Sequence, residues 1–167
     1  MSNEVDERSS TSISTPSDTE IRIERVFEAP RELVWEAHAD PDLLGEWLGP
    51  YDHPVTVESM DLQPGGSYRW TSPAPEGEEL AFYGEYREVS PPEVMEMTFE
   101  FSGAPGHVSV DRLELEELEG GRTRLVSIST FDSKEDRDGM LQSGMETGMT
   151  EGYEKLDELV ERLRSRS

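Results

Sequence analysis

Between Glu20 and Glu28 the chain alternates. Ile21, Ile23 and Phe27 fall on one face, with Glu20, Glu24 and Glu28 on the other. Period two is the pattern of a half-buried strand. Arg25 lands on the apolar face, where a bulge, pairing with an internal Glu or a place in a pocket wall would each account for it. Ala29-Pro30 ends the strand, and Pro30 opens a helix, since proline is tolerated in a first turn. Leu33, Val34 and Ala37 give that helix a buried stripe. Pro41 interrupts it, and a second short helix carries Leu44, Trp47 and Leu48 before the Gly49-Pro50 turn.

A series of strands follows. Val55 to Met60 is the first, and Pro64-Gly65-Gly66 turns into Ser67 to Ser72, with Tyr68 and Trp70 on one face. A Pro/Gly/Glu loop over 73–79 leads to a strand from Leu80 to Val89, ended by Ser90-Pro91-Pro92. From Val94 to Phe101 the alternation is clean: Met95, Met97, Phe99 and Phe101 point in, while Glu96, Thr98 and Glu100 point out. Val108 to Glu117 loses phase near Asp111-Arg112, which predicts a bulge. Gly120-Gly121 makes a hairpin into Thr123 to Thr130.

The C-terminal part reads as one long helix. Asp132 or Ser133 serves as cap, and Leu141, Met145, Met149, Tyr153, Leu156, Val160 and Leu163 form a single apolar stripe. Gly144, Gly148 and Gly152 recur beside it at four-residue spacing. Each interior helical glycine costs about 1 kcal/mol relative to alanine, so the set implies close approach to another backbone or space left for a ligand. A strand, two short helices, more strands and a final helix give an α+β fold. The simplest packing is a curved antiparallel sheet of about seven strands wrapped around the long helix, with the short helices closing one end. Residues 1–19, acidic and rich in Ser and Thr, read as a disordered tail, and 20–167 as the domain.

Charge changes the picture next. The 167 residues carry a formal net charge of −23, with 38 acidic residues against 15 basic ones. Clustered Lys and Arg are what phosphate neutralisation requires, so nucleic acid is not an expected partner, and neither is an anionic membrane. Only Lys134 and Lys155 are lysines; the other cations are arginines. An acidic shell nearly free of Lys, over a core with 3 Trp, 5 Tyr and 5 Phe, suggests a halophile's cytoplasmic protein. At about 1 M salt the Debye length is roughly 3 Å, which screens such self-repulsion. No stretch approaches a membrane span or a signal peptide, and the absence of cysteine removes disulfide and thiol chemistry.

Four segments then occur in a telling order: FEAPRELVWEAHADPDLLGEWLGP (27–50), DLQPGGSYRW (61–70), GEYREVSPPEVMEMTFEF (84–101) and GMETGMTEGYEKLDELVERL (144–163). Together they resemble the START-like (SRPBCC) superfamily, and more closely the branch named for the activator of the heat-shock chaperone's ATPase. The resemblance implies the helix-grip fold but no fixed chemistry, since members bind small apolar molecules, act as lyases or cyclases, or serve as co-chaperones. His38 stands where that family's helix often carries Trp, Leu48 replaces the second Trp of a Trp-Trp-Gly-Pro, and Met149 stands where Gly-Trp is common. START-like chains often pair, so a homodimer is a further expectation. The eukaryotic co-chaperone has a separate N-terminal domain with no counterpart in residues 1–19, which weighs against a chaperone partner.

The candidate chemistry is sparse. His38, His53 and His107 have no metal-ligand spacing, and no P-loop, GxSxG or GxGxxG fingerprint occurs. No metal, cofactor or catalytic residue is therefore assigned. Arg25 could hold a ligand carboxylate, and His38 on its helix could be an acid/base or a hydrogen-bonded core residue. The candidate cavity lining is Arg25, Trp35, His38, Trp47, Tyr68, Trp70, Phe82, Tyr86, Met95, Met97, Phe99, Met145 and Met149. Plain core packing is the competing role for each; as a set they favour a pocket, because Met adapts to irregular ligand shapes. The leading expectation is binding of a small apolar or amphipathic ligand between sheet and helix. A stress-response interaction protein is the alternative, and a cyclase- or lyase-like enzyme the second.

Overall fold

The computed structural model describes residues 11–48, 55–73, 79–143 and 145–166. The expected tail over 1–19 is ordered in its second half. Ser12–Ser14 form strand β1, paired antiparallel with β2 (Glu20–Phe27). Thr11 and Ser17 also bond to the domain through Arg25 and Arg137. Two helices follow, α1 (Arg31–Ala39) and α2 (Pro41–Trp47). Pro30 is the N-cap of α1, and its carbonyl accepts the amides of Leu33 and Val34. Asp40 caps α2, its carboxylate accepting the Asp42 amide at 2.9 Å.

The remaining strands are β3 (Thr56–Met60), β4 (Ser67–Pro73), β5 (Glu79–Ser90), β6 (Val94–Phe101), β7 (Val108–Leu118) and β8 (Arg122–Thr130). They form a single antiparallel sheet in the order β1-β2-β8-β7-β6-β5-β4-β3. With β1 the sheet has eight strands rather than about seven. The bulge expected at Asp111-Arg112 is absent: β7 keeps unbroken register with both neighbours, from Val110 opposite Thr130 through Leu118 opposite Arg122. Strict alternation back from Leu115 and Leu113 therefore turns Asp111 inward and Arg112 outward. The register shifts instead between Tyr86 and Glu88 in β5 and between Val57 and Ser59 in β3.

The long C-terminal helix is divided. Helix α3 (Lys134–Leu141) is capped by Ser133, whose hydroxyl accepts the Asp136 amide at 3.0 Å. It stops where Ser143 turns its amide and hydroxyl onto the Met140 carbonyl, at 3.1 and 2.7 Å. Helix α4 (Met145–Arg166) then crosses the concave side of the sheet. Its start follows α3, which is tied to the β6–β7 turn by His107 and Asp136 at 2.9 Å. Its end lies by β2, where Arg164 donates to the Glu28 carbonyl at 2.7 Å.

Tyr153, Leu156, Leu159 and Val160 are the buried stripe of α4. They join Ile21, Ile23, Phe27, Leu113, Leu115 and Leu125 from the sheet and Val34, Leu44 and Trp47 from the short helices in one core. Each such side chain contributes about 1.5–3 kcal/mol on burial. The outer face of the sheet is a set of ion pairs: Arg112 meets Glu88, Glu96 and Glu114, and Arg124 meets Glu24 and Glu116. Among the described residues no helix is long and apolar enough to cross a membrane.

Candidate functional site

The strand register composes the concave face. Ile21, Ser129, Asp111, Met97 and Tyr86 stand side by side on five neighbouring strands. The next row toward the α4 C-terminus is Ile23, Ser127, Leu113, Met95 and Val89, followed by Arg25, Leu125 and Leu115. On the other side of the Asp111 row lie Ser109 and Phe99, then Phe101, Phe82, Trp70 and Val57. Opposed pairs in such ladders have Cβ atoms about 4.5–5.5 Å apart, so each row is a continuous strip of surface.

The two ends of this face differ in cover. Phe27, Leu125, Leu115 and Ile23 are buried beneath the second half of α4 and the short helices. Phe82, Met97 and Phe99 point the same way but remain half-buried, and so do Met145 and Met149 in the first turns of α4. Phe82 stacks on both Phe99 and Phe101, with ring centroids 5.8 and 5.2 Å apart. The structure thus brings Phe82, Met97 and Phe99 to one inner patch, and places Tyr68, Trp70, Tyr86 and Met95 beside it as fully buried wall. Tyr68 is 4.7 Å from the Trp70 ring and 5.4 Å from Tyr86. The Trp70 indole Nε1, on a side chain 8% exposed, has no hydrogen-bond partner among the described residues.

Arg25, Trp35, His38 and Trp47 belong to the closed end. Arg25 lines no open surface; its guanidinium bonds Asp157 of α4 at 2.5 Å and Thr11 at 2.6 Å and lies over the Phe27 ring. Its partner is an Asp on the helix rather than the expected internal Glu, and β2 has no bulge there. Burial pushes the Asp157 carboxyl up despite the neighbouring cation, with Glu154 and Glu158 adding to the effect. His38 Nδ1 is 2.8 Å from the Val34 carbonyl, so Nδ1 carries the proton and donates. The ring packs edge-on against Trp47 at 4.9 Å. Burial lowers the His38 pKa to about 4, which keeps the ring neutral near pH 7. Trp47 donates to the Ala37 carbonyl and stacks on Tyr153. Trp35 is buried in the same core.

Asp111 is the functional candidate that sequence reading passed over. It keeps some accessible surface yet sits deep among protein atoms, at the centre of the inner face. Ser109 donates to its Oδ1 at a long 3.5 Å, and the Ser129 hydroxyl bonds it from β8. Burial pushes its pKa up to about 6, against the lowering effect of the two hydroxyls. The signal was present: Ser109, Asp111, Leu113 and Leu115 already share period two. A bulge at Asp111-Arg112 would take Asp111 off that face, and the structure has none there.

Several expectations fall outside the described residues: His53, the Gly49-Pro50 turn, Gly144 and most of the 73–79 loop. Gly152 is buried and Gly148 half-buried on α4. Among the described residues no group of His, Asp and Glu is arranged to hold a metal ion. Two shallow hollows on the outside, at Lys134, Glu135 and Gln142 and at Glu158, Arg162 and Arg166, contain none of the candidate residues.

No curated protein matches the chain, while many solved structures do. A crystal structure from Rhodobacter sphaeroides is 29% identical with a TM-score of 0.84, covering 92% of this chain and 99% of the other. Protein Ms6760 from Mycobacterium smegmatis is 29% identical at a TM-score of 0.81, covering 90% and 96%. A solution structure from Arthrobacter aurescens is 28% identical at 0.81, covering 90% and 91%. Residues 28–161 match the family model described as Activator of Hsp90 ATPase homolog 1-like protein. That span takes in the short helices, the sheet from β3 to β8, α3 and most of α4, and on it the chain belongs to the Activator of Hsp90 ATPase homolog 1-like family, with the START-like helix-grip fold.

Proposed function

We propose that this protein binds a small apolar or amphipathic molecule between the concave face of the sheet and the first half of α4. One observation carries the reading. Phe82, Met97, Phe99, Met145 and Met149 belong to the core-facing surface yet keep solvent exposure, while the same face is sealed at its other end. Apolar side chains grouped in a concave, partly uncovered patch are the usual lining of small-molecule sites. Trp70 Nε1, without a partner among the described residues, adds to this, since a buried donor left unsatisfied costs about 1–3 kcal/mol. A ligand acceptor would recover part of it. The proposal assigns binding and no reaction.

Native mass spectrometry of the full chain from volatile salt tests it. The expected result is a retained small molecule, lost from a Met97→Trp variant that fills the patch while melting at the wild-type temperature. Wild-type protein with no added mass and no saturable binding of any hydrophobic probe would overturn the reading. Capture of a chaperone at molar salt under those conditions would favour the interaction role that the family's name carries.

A further inference from the structure

We infer that the ligand taken by this cleft is an amine-headed amphiphile, with its protonated nitrogen held on the Asp111 carboxylate and its apolar body laid over the Met97, Phe99 and Phe82 patch. The inference rests on the binding role proposed above and names the ligand's chemistry.

Arg25 at the closed end of the inner face and Asp111 at its centre both carry formal charge, and they are treated differently. Arg25 is neutralised by Asp157 across the sheet–helix gap. Asp111 has no cation within ion-pair distance among the described residues; its row neighbours are Ser129 and Met97, with Ile21 and Tyr86 beyond. A carboxylate has about four acceptor positions, and two serine hydroxyls, one at 3.5 Å, leave acceptor capacity free. A charge taken from water without a counter-charge is costly. A ligand ammonium would supply both the charge and the missing donors.

The surroundings suit a cation. Tyr68 and Tyr86 lie on the same side of the sheet as a buried aromatic pair, their rings 5.4 Å apart. The chain's net charge of −23 draws cations toward the protein. The titratable groups facing Asp111 are Tyr68 from β4, Tyr86 from β5 and Tyr153 from α4. Burial pushes all three phenols further above their ordinary range, so they stay neutral around pH 6. Protonation of Asp111 is then the event that removes the negative charge from this region.

The test compares 4-phenylbutylamine with 4-phenylbutanol, titrated calorimetrically into the full chain in molar KCl, where surface attraction is screened. At neutral pH the amine is expected to bind at least ~10-fold tighter than the alcohol. In Asp111→Asn the preference collapses to within roughly twofold through loss of amine affinity, while the alcohol binds as before. Outer-face Glu116→Gln keeps the full preference. If Asp111→Asn folds poorly, the wild type decides: its preference falls as pH drops through about 6, where Asp111 becomes protonated. Equal binding of amine and alcohol by the wild type overturns the inference and leaves the cleft reading standing. So does a preference that survives acid, or one that Glu116→Gln also abolishes. Binding of neither probe overturns both.

Discussion

The Tyr68 hydroxyl donates to the main-chain carbonyl of Thr98 at 2.6 Å, reaching from β4 over β5 to β6. Gly84, opposite Tyr68 on β5, makes this possible. The Thr98 carbonyl oxygen lies 2.0 Å from where a Gly84 Cβ would stand. The Thr98 hydroxyl in turn accepts the Glu85 amide at 2.9 Å. A tyrosine, a glycine and a threonine thus close a gap in the β5–β6 ladder directly behind the aromatic patch.

Gly84→Ala is accordingly expected to destabilise the fold by more than about 2 kcal/mol, because backbone on both strands must shift. Tyr68→Phe, which removes a single hydrogen bond, costs about 1 kcal/mol. Urea unfolding at constant salt measures both. An unchanged midpoint in Gly84→Ala would show that β5 and β6 do not approach as described.

Arg25 and Asp157 pin α4 to β2. The Arg25 side chain has 0% exposure and that of Asp157 has 34%. Asp157→Asn leaves a buried guanidinium without its counter-charge, a change that costs 3–5 kcal/mol when both partners are fully buried. With one partner a third open to solvent, about 2 kcal/mol is expected. The double variant Arg25→Met with Asp157→Leu should recover part of the loss. Equilibrium denaturation of the two would decide, and a loss below about 0.5 kcal/mol in Asp157→Asn would place the pair among weak surface bridges.

His38 and Asp111 act on stability in opposite senses as pH changes. The His38 pKa is lowered from 6.5 to about 4. Its contribution is complete above pH 6.5 and lost as pH falls toward 4. The Asp111 pKa is raised from 3.8 to about 6. Its folded state favours the proton, so that contribution is present below 3.8 and lost as pH rises through 6. Each pKa unit is worth about 1.4 kcal/mol. Asp111→Asn should therefore melt higher than wild type at neutral pH, with the gap closing on acidification. His38→Gln should lower the melting temperature at neutral pH and flatten the acid decline. Melting curves across the acid range check both signs; a gap for Asp111→Asn that widens in acid would contradict the placement of Asp111.

Salt is the fourth lever. The outer face gathers three glutamates around Arg112 and two around Arg124, yet cations are too few to balance a net charge of −23. Screening weakens the ion pairs and the larger like-charge repulsion together. The melting temperature is expected to rise between dilute buffer and molar KCl. A flat or falling curve would remove the proposal that the acidic shell serves a high-salt environment.

Most of the architecture was legible in the chain. Alternation in β2 and β6, the turn at Pro64-Gly65-Gly66 and the stripe Tyr153, Leu156, Val160 each report a local period, and local periods are set by which faces must be buried. Three features were not legible for the same reason. Strand β1 is short and polar, and it is ordered by pairing with β2 and by the hydrogen bond between Thr11 and Arg25. The break between α3 and α4 depends on Ser143 capturing the Met140 carbonyl, within a stripe whose spacing runs straight through. Asp111 was masked because a charged residue on an apolar face looks like a loss of phase.

The sequence by itself determined the class of fold, the acidic shell and the aromatic and methionine content of the inner face, because periodicity and composition are properties of the chain alone. Only the tertiary structure decided which of those residues meet. It placed Arg25 on Asp157, 132 positions away, and sealed His38 against Trp47. It also left Met97, Phe99 and Asp111 half-buried together on one inner face. That division depends on where α4 lies across the sheet, a long-range packing outcome with no local period to announce it.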